Sequence, residues 1–283
     1  MKQLRCRAAL VCCALIWGCA FVVQTTAMEH VGPMTFTAVR SLIAAVTLCA
    51  MMPFFHDASA EKNVRRLWKG GIITGVILSL GASLQQIGIQ YTTVAKAGFL
   101  SALYVVIVPL LAVFMKEKIR PAVWIAVGIA CAGLYLLSFS GTASFSAGDL
   151  LIIACAFVYS LHIMAIARFS PGLDGVRYSC VQFLTAGILC MIPALLYEEI
   201  SWASLLAAKW EILYAGILSS GAAYTLQIYG QKNTEPSVAS LLLSLESVFA
   251  AIAGFVLLHQ TMMIREVIGC ALIFCAILLA ETK

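Results

Sequence analysis

Gly75-Val-Ile-Leu-Ser-Leu-Gly-Ala-Ser-Leu-Gln-Gln-Ile-Gly-Ile-Gln90 returns in the second half of the chain as Gly216-Ile-Leu-Ser-Ser-Gly-Ala-Ala-Tyr-Thr-Leu-Gln-Ile-Tyr-Gly-Gln231. Gly75, Ser79, Ala82, Gln86, Ile87 and Gln90 meet identical residues at Gly216, Ser220, Ala223, Gln227, Ile228 and Gln231, all at one offset of 141 without a gap. Both stretches are apolar apart from a few hydroxyls and carboxamides. In each, the polar residues recur at helical spacing, Ser79, Ser83, Gln86 and Gln90 in the first, Ser220, Tyr224, Gln227 and Gln231 in the second. Such spacing places each set on one face of an α-helix.

The surroundings decide what kind of helix this is. The chain has 283 residues, of which 62% are hydrophobic and 11% charged, with a mean hydropathy of +0.99. Soluble domains carry about 25% charged residues, so this chain lacks the polar groups to coat a water-soluble globule. A soluble enzyme, a disordered chain and a nucleic-acid-binding domain are disfavoured on that ground. A membrane-spanning helix needs about 20 apolar residues, and the sequence divides into ten such runs. They are Ala8–Ala27, Pro33–Pro53, Leu67–Gln90, Val94–Met115, Pro121–Ser140, Gly148–Arg168, Val176–Tyr197, Lys209–Gln231, Pro236–Leu258 and Met263–Glu281. The first follows Lys2, Arg5 and Arg7 as a signal peptide would, but it is too long for a signal core and reads as a retained span. Pro33, Pro121 and Pro236 stand at helix starts, where the missing N–H costs nothing. Pro109 falls inside the fourth span and is expected to kink it.

The basic residues orient the spans. With the N-terminus inside, the cytoplasmic segments hold Lys2, Arg5, Arg7, Lys62, Arg65, Arg66, Lys69, Lys116, Lys118, Arg120, Arg168, Arg177, Lys232 and Lys283, whereas the outer loops hold Lys209 and Arg265. The positive-inside rule then places both termini in the cytoplasm. The net charge of +5 is an orientation signal.

The repeat extends beyond the opening pair. Phe36-Thr-Ala-Val-Arg-Ser-Leu-Ile-Ala matches Tyr178-Ser-Cys-Val-Gln-Phe-Leu-Thr-Ala at an offset of 142, and Gly128 matches Gly269 at 141. Two units are expected, residues 1–140 and 147–283. Each holds five spans, an odd number, so the second must enter the membrane from the opposite side. The expected fold is an all-α membrane protein of ten transmembrane helices in two inverted five-helix repeats. Inverted repeats are frequent in secondary transporters, whose substrate sites lie near the midplane.

Further residues carry the family likeness. These are Ala14-Leu-Ile-Trp-Gly-Cys-Ala-Phe21, Arg40, Gln90-Tyr-Thr-Thr-Val-Ala-Lys-Ala-Gly-Phe99, Leu103-Tyr-Val-Val-Ile-Val-Pro109, Gly148-Asp-Leu-Leu151, Ala223-Tyr-Thr-Leu-Gln227, Gln231-Lys-Asn-Thr234 and Leu245-Glu-Ser-Val-Phe249. The chain resembles, over essentially its whole length, EamA-type members of the drug/metabolite transporter superfamily. The resemblance implies a carrier that exports small metabolites, amino acids or drugs from a bacterial cytoplasm across the inner membrane. Two positions depart from the family pattern. Ser247 stands where a proline is usual, and His259-Gln260 where an acidic residue is common.

Polar groups inside apolar runs are costly and mark candidate sites. The two polar stripes, Ser79, Ser83, Gln86 and Gln90 with Ser220, Tyr224, Gln227 and Gln231, are expected to line a common cavity, because amides facing lipid would go unsatisfied. Arg40 is a candidate for a substrate carboxylate or phosphate, or a brace between helices. Glu246 is a candidate proton relay or cation-binding carboxylate, and equally a packing residue. His162, beside Tyr159, is a second candidate for proton coupling, since histidine titrates near neutral pH. Trp17 and Tyr104 offer aromatic faces to a substrate or to the core. Lys96 is a candidate outer lip or a snorkelling residue. No cofactor and no metal site is expected. The eleven Cys lack metal or redox spacing and read as small hydrophobes. The expected partners are a small-molecule substrate and the bilayer, with monomer and homodimer both open. An importer of a small organic cation, a non-transporting scaffold and a membrane-embedded enzyme are the competing readings, the last without any catalytic constellation in the sequence.

Overall fold

A computed structural model describes residues 2–55, 60, 63–92, 94–138, 146–257 and 263–281. The described residues are helical almost throughout. In chain order the helices are α1 (Lys2–Ala27), α2 (Pro33–Met51), α3 (Val64–Ile89), α4 (Val94–Ser101), α5 (Tyr104–Phe114), α6 (Pro121–Ser138), α7 (Ala147–Phe169) and α8 (Gly175–Tyr197). Then come α9 (Trp202–Ala207), α10 (Lys209–Leu213), a π-helix (Tyr214–Ala223), α11 (Tyr224–Gln231), α12 (Pro236–Leu243), α13 (Leu245–Leu257) and α14 (Ile264–Glu281). Seven helices among the described residues are long and apolar enough to cross a membrane, and Pro121–Leu137 is a shorter apolar helix. The eighth and tenth expected spans fall outside those seven. The former is divided by the π-helix, and α14 carries Arg265, Glu266 and Glu281.

Two spans are each interrupted in the middle by one or two turn residues, with Leu103 and Ser244 still in the right-handed helical region. The fourth is interrupted at Ala102 and Leu103, between α4 and α5, and the ninth at Ser244, between α12 and α13. Pro109 lies within α5, and the interruption comes before that helix begins. There the backbone tightens into i→i+3 bonds, Leu103 N to Leu100 O at 3.3 Å and Val105 N to Ala102 O at 3.0 Å. At the second break the Ser244 hydroxyl donates to Leu241 O at 2.7 Å, a back-bond of the kind that bends helices. The first halves match in length, Val94–Ser101 and Pro236–Leu243 having eight residues each.

Small residues allow the helices to approach closely. α2 lies along α8 and α6 along α14, while α3 packs on α7 and α8 and α1 on α13, α11 and the π-helix. A Cβ on Gly75 would stand 2.6 Å from Gln182 O in α8, and one on Gly216 would stand 2.7 Å from Ile43 and 3.1 Å from Arg40 O in α2. Gly75 and Gly216 thus seat each half's third helix on the other half's second. Gly269 packs on Gly133 in α6, whereas the space beside Gly128, its partner in the sequence match, is open.

Carboxylates fix the helix ends. Asp174 accepts from Val176 N and Arg177 N at the start of α8, both at 3.0 Å. Glu198, just after α8, reaches back to the start of α2 and accepts from Met34 N and Thr35 N, both at 2.8 Å. The first turn of a helix has unpaired N–H groups, so a carboxylate there is favourable.

Candidate functional site

The helix breaks open onto a central cavity of about 540 Å³, counting its open mouth. Its wall is Trp17, Phe21 and Gln24 from α1, Arg40 from α2, Gln85 from α3, Tyr104 from α5, and Tyr159, His162 and Ile163 from α7. Ser219 of the π-helix, Tyr224 and Gln227 of α11, Leu243 of α12 and Glu246 of α13 complete it.

An arginine and a glutamate, ionisable groups of opposite sign, sit in this wall. Arg40 is 6% exposed and Glu246 5%. Arg40 Nη1 donates to Gln24 Oε1 at 3.2 Å, and its guanidinium lies 5.4 Å from the Phe36 ring centroid. Glu246 Oε1 accepts from the Tyr104 hydroxyl at 2.8 Å. Among the described residues no ion pair within 4.0 Å joins the two charges. Each therefore keeps hydrogen-bonding capacity toward the cavity.

The remaining polar groups are held in place by one another. Gln24 is the hub on α1: its amide nitrogen bonds Ala20 O at 3.2 Å, its Oε1 takes Arg40, and its carbonyl takes Gln86 Nε2 at 3.2 Å. Gln85 joins three helices, donating to Ser101 Oγ and accepting from the Tyr159 hydroxyl, both at 3.2 Å. His162 Nε2 stands 3.0 Å from Gln182 Oε1. Trp17 Nε1 donates to Ser219 O at 3.1 Å, and its ring lies 4.6 Å from that of Tyr224. Ser247, at the position where the family usually has proline, donates to Gly98 O at 3.2 Å and ties α13 to α4.

The structure brings together Trp17, Arg40, Tyr104, Tyr159, His162, Tyr224, Gln227 and Glu246 of the residues singled out in the sequence. The others lie elsewhere. Ser79 donates to Val76 O, Ser83 contacts Cys190 Sγ, and Gln90 is exposed at the end of α3. Gln86 faces α1 and its neighbour Gln85 takes the cavity wall. In the second stripe Ser220 is buried off the cavity, and Ser219 lines it instead. The π-helix winds with a wider turn than an α-helix, so the faces along this stretch rotate out of the phase that α-helical spacing assigns to Ser220. Gln231 donates to Ile163 O at 3.3 Å, behind the wall. Lys96 pairs with buried Asp149 at 3.4 Å, and Asp149 also accepts from Thr92 and from Ser146 N. His259 and Gln260 lie outside the described residues. Gln24 and Gln85 were not singled out from the sequence. Their signal is a carboxamide inside an apolar run, the one that marked Gln86 and Gln227.

A buried polar cavity at the centre of a bundle of membrane-spanning helices is the arrangement of a membrane transport protein. Comparison with known proteins agrees. The chain belongs to the EamA-like transporter family, whose profile matches twice, at residues 6–139 and 146–282. An uncharacterized transporter of Archaeoglobus fulgidus is 28% identical over 100% of this chain and 88% of its own. The Bacillus subtilis transporter YoaV is 22% identical over 95% and 94% of the two chains. YedA of Escherichia coli, named as an inner membrane transporter, is 22% identical over 96% and 89%. One solved crystal structure shares the fold with a TM-score of 0.73 at 21% identity, over 95% of this chain and 96% of that one.

Proposed function

We propose that the chain is a secondary-active carrier that exports a small zwitterionic metabolite, an amino acid or a close relative, by alternating access. The observation that carries this reading is the pairing of Arg40 and Glu246 in one cavity wall without an ion pair between them. Buried charges are costly unless paired and hydrogen-bonded. A ligand with a carboxylate for the Arg40 fork and an ammonium for Glu246 completes both. The rings of Trp17, Tyr104, Tyr159 and Tyr224 supply the apolar part of the wall. Gln86 serves the site indirectly, by holding the backbone carbonyl of Gln24, whose side chain accepts from Arg40.

The architecture in this reading is ten spans in two inverted repeats, residues 1–140 and 147–283, with both termini in the cytoplasm and the protein in a bacterial inner membrane. The equal first halves of the two broken helices and the double family match support it. So does the Tyr104–Glu246 bond, whose partners are 142 residues apart, the offset that aligns the second and seventh spans. The cycle is proton-coupled: Glu246 exchanges a proton for the substrate ammonium, with His162 in the same wall.

The test is purified protein in liposomes with a panel of radiolabelled amino acids. Transport of at least one is expected, faster with an opposing proton gradient. Loss of the gradient effect in Glu246→Gln is expected as well. No transport of any amino acid overturns the substrate class, and transport indifferent to the gradient overturns the coupling.

A further inference from the structure

Six glutamines are buried among the described residues, Gln24, Gln85, Gln86, Gln182, Gln227 and Gln231. Five are held by their side-chain amides. Gln24 donates to Ala20 O, Gln85 to Ser101 Oγ, Gln86 to Gln24 O and Gln231 to Ile163 O, and Gln182 hydrogen-bonds His162. Gln227 is the exception. It is 1% exposed, it lines the cavity with Arg40 and Glu246, and its Oε1 is buried with no partner. Gln86 and Gln231 each leave Oε1 without a partner and Gln182 leaves Nε2, but among the described residues Gln227 alone of the six has no hydrogen bond to protein at either end of its amide.

A buried amide is retained without a partner only at a cost, and replacing it by an apolar group of the same shape would be neutral or stabilising for the fold alone. Packing therefore gives no reason for a glutamine here. The backbone position adds a second point. Gln227 follows Tyr224 by one turn of α11, and the Tyr224 ring is packed among Trp17, His162 and Phe183 at centroid distances of 4.6, 5.8 and 5.1 Å. The amide is thus presented from a rigid wall.

We propose that Gln227 is a specificity-determining residue that reads a hydroxyl or carboxamide on the substrate's side chain. The inference rests on the zwitterion reading of the same cavity, in which Arg40 and Glu246 take the two charged ends. An amide presents a donor and an acceptor, and a hydroxyl or a carboxamide returns one of each. The substrate class narrows to amino acids with short hydroxyl or amide side chains. Isosteric apolar amino acids are rejected, because they would leave the buried Gln227 amide unpartnered.

Threonine against valine, and asparagine against leucine, test this in proteoliposomes of the full chain. The wild type is expected to prefer the polar member of each pair by at least about tenfold in rate at low concentration. Gln227→Leu is expected to reduce both ratios to within about threefold, with a melting temperature no lower than wild type. Equal transport of both members by the wild type overturns the inference without touching the zwitterion reading. So does a Gln227→Leu variant that keeps the wild-type preference. Failure to transport any of the four, or any other amino acid, overturns the zwitterion reading itself.

Discussion

The Tyr104 hydroxyl donates to Glu246 Oε1 at 2.8 Å, and the two residues stand 142 positions apart in the chain. Tyr104 is the first residue of α5 and Glu246 the second of α13, each just beyond the break in its span. Two matched interruptions are therefore linked directly through the cavity wall. Tyr104→Phe keeps the ring and removes this bond. Hydrogen bonds to charged groups contribute about 1.5–3 kcal/mol, so a melting temperature several degrees lower is expected in thermal-shift measurements. A variant as stable as wild type would mean that the bond does not hold the two breaks together.

Arg40 should not tolerate its usual conservative replacement. Lysine offers a point charge where arginine offers a planar fork. Arg40→Lys is expected to lose at least about tenfold in transport efficiency, and Arg40→Ala more, while both keep the helical content seen by circular dichroism. Wild-type transport by Arg40→Lys would place the substrate anion elsewhere.

The close approaches at Gly75 and Gly216 differ in what they meet. A Cβ on Gly75 meets backbone, Gln182 O at 2.6 Å, whereas one on Gly216 first meets the Ile43 side chain at 2.7 Å. Overpacking costs about 1–3 kcal/mol, and a side chain yields more readily than backbone. Gly75→Ala is expected to lower the melting temperature more than Gly216→Ala. The reverse order would contradict the packing described here.

Lys116 adopts φ 64°, the left-handed region. It closes α5 in a Schellman arrangement, with Lys116 N on Val113 O at 2.8 Å and Glu117 N on Ala112 O at 2.9 Å. A side chain there costs about 1 kcal/mol. Lys116→Gly is expected to raise the melting temperature by a few degrees, and a fall would show that the lysine has contacts of its own to lose.

The apolar runs were legible because their length is set by the bilayer, and Gly75 to Gln90 against Gly216 to Gln231 made the repeat visible. Three features were not legible. Neither break carries glycine or proline at the interrupted residues, which are Ala102, Leu103 and Ser244. The matched stretches adopt different helices, α in one half and partly π in the other. Their equivalent residues therefore do not face the same way, and Ser219 displaces Ser220. Finally, helices apolar on nearly every side carry little information about rotation. Spacing grouped Gln86 with the stripe, yet Gln85, one residue and a quarter-turn away, reaches the cavity. Arg40 and Glu246 were legible for the opposite reason, since a charge inside an apolar run has few places to go.

Binding to the native state raises its stability, so ligand-induced thermal stabilisation tests the cavity most directly. Purified wild type, Arg40→Ala and Glu246→Gln would each be melted with every common amino acid. At least one amino acid is expected to stabilise the wild type by several degrees, and the same one to have no effect on either variant. Undiminished stabilisation of both variants would contradict the assignment of Arg40 and Glu246 as the two poles of the site.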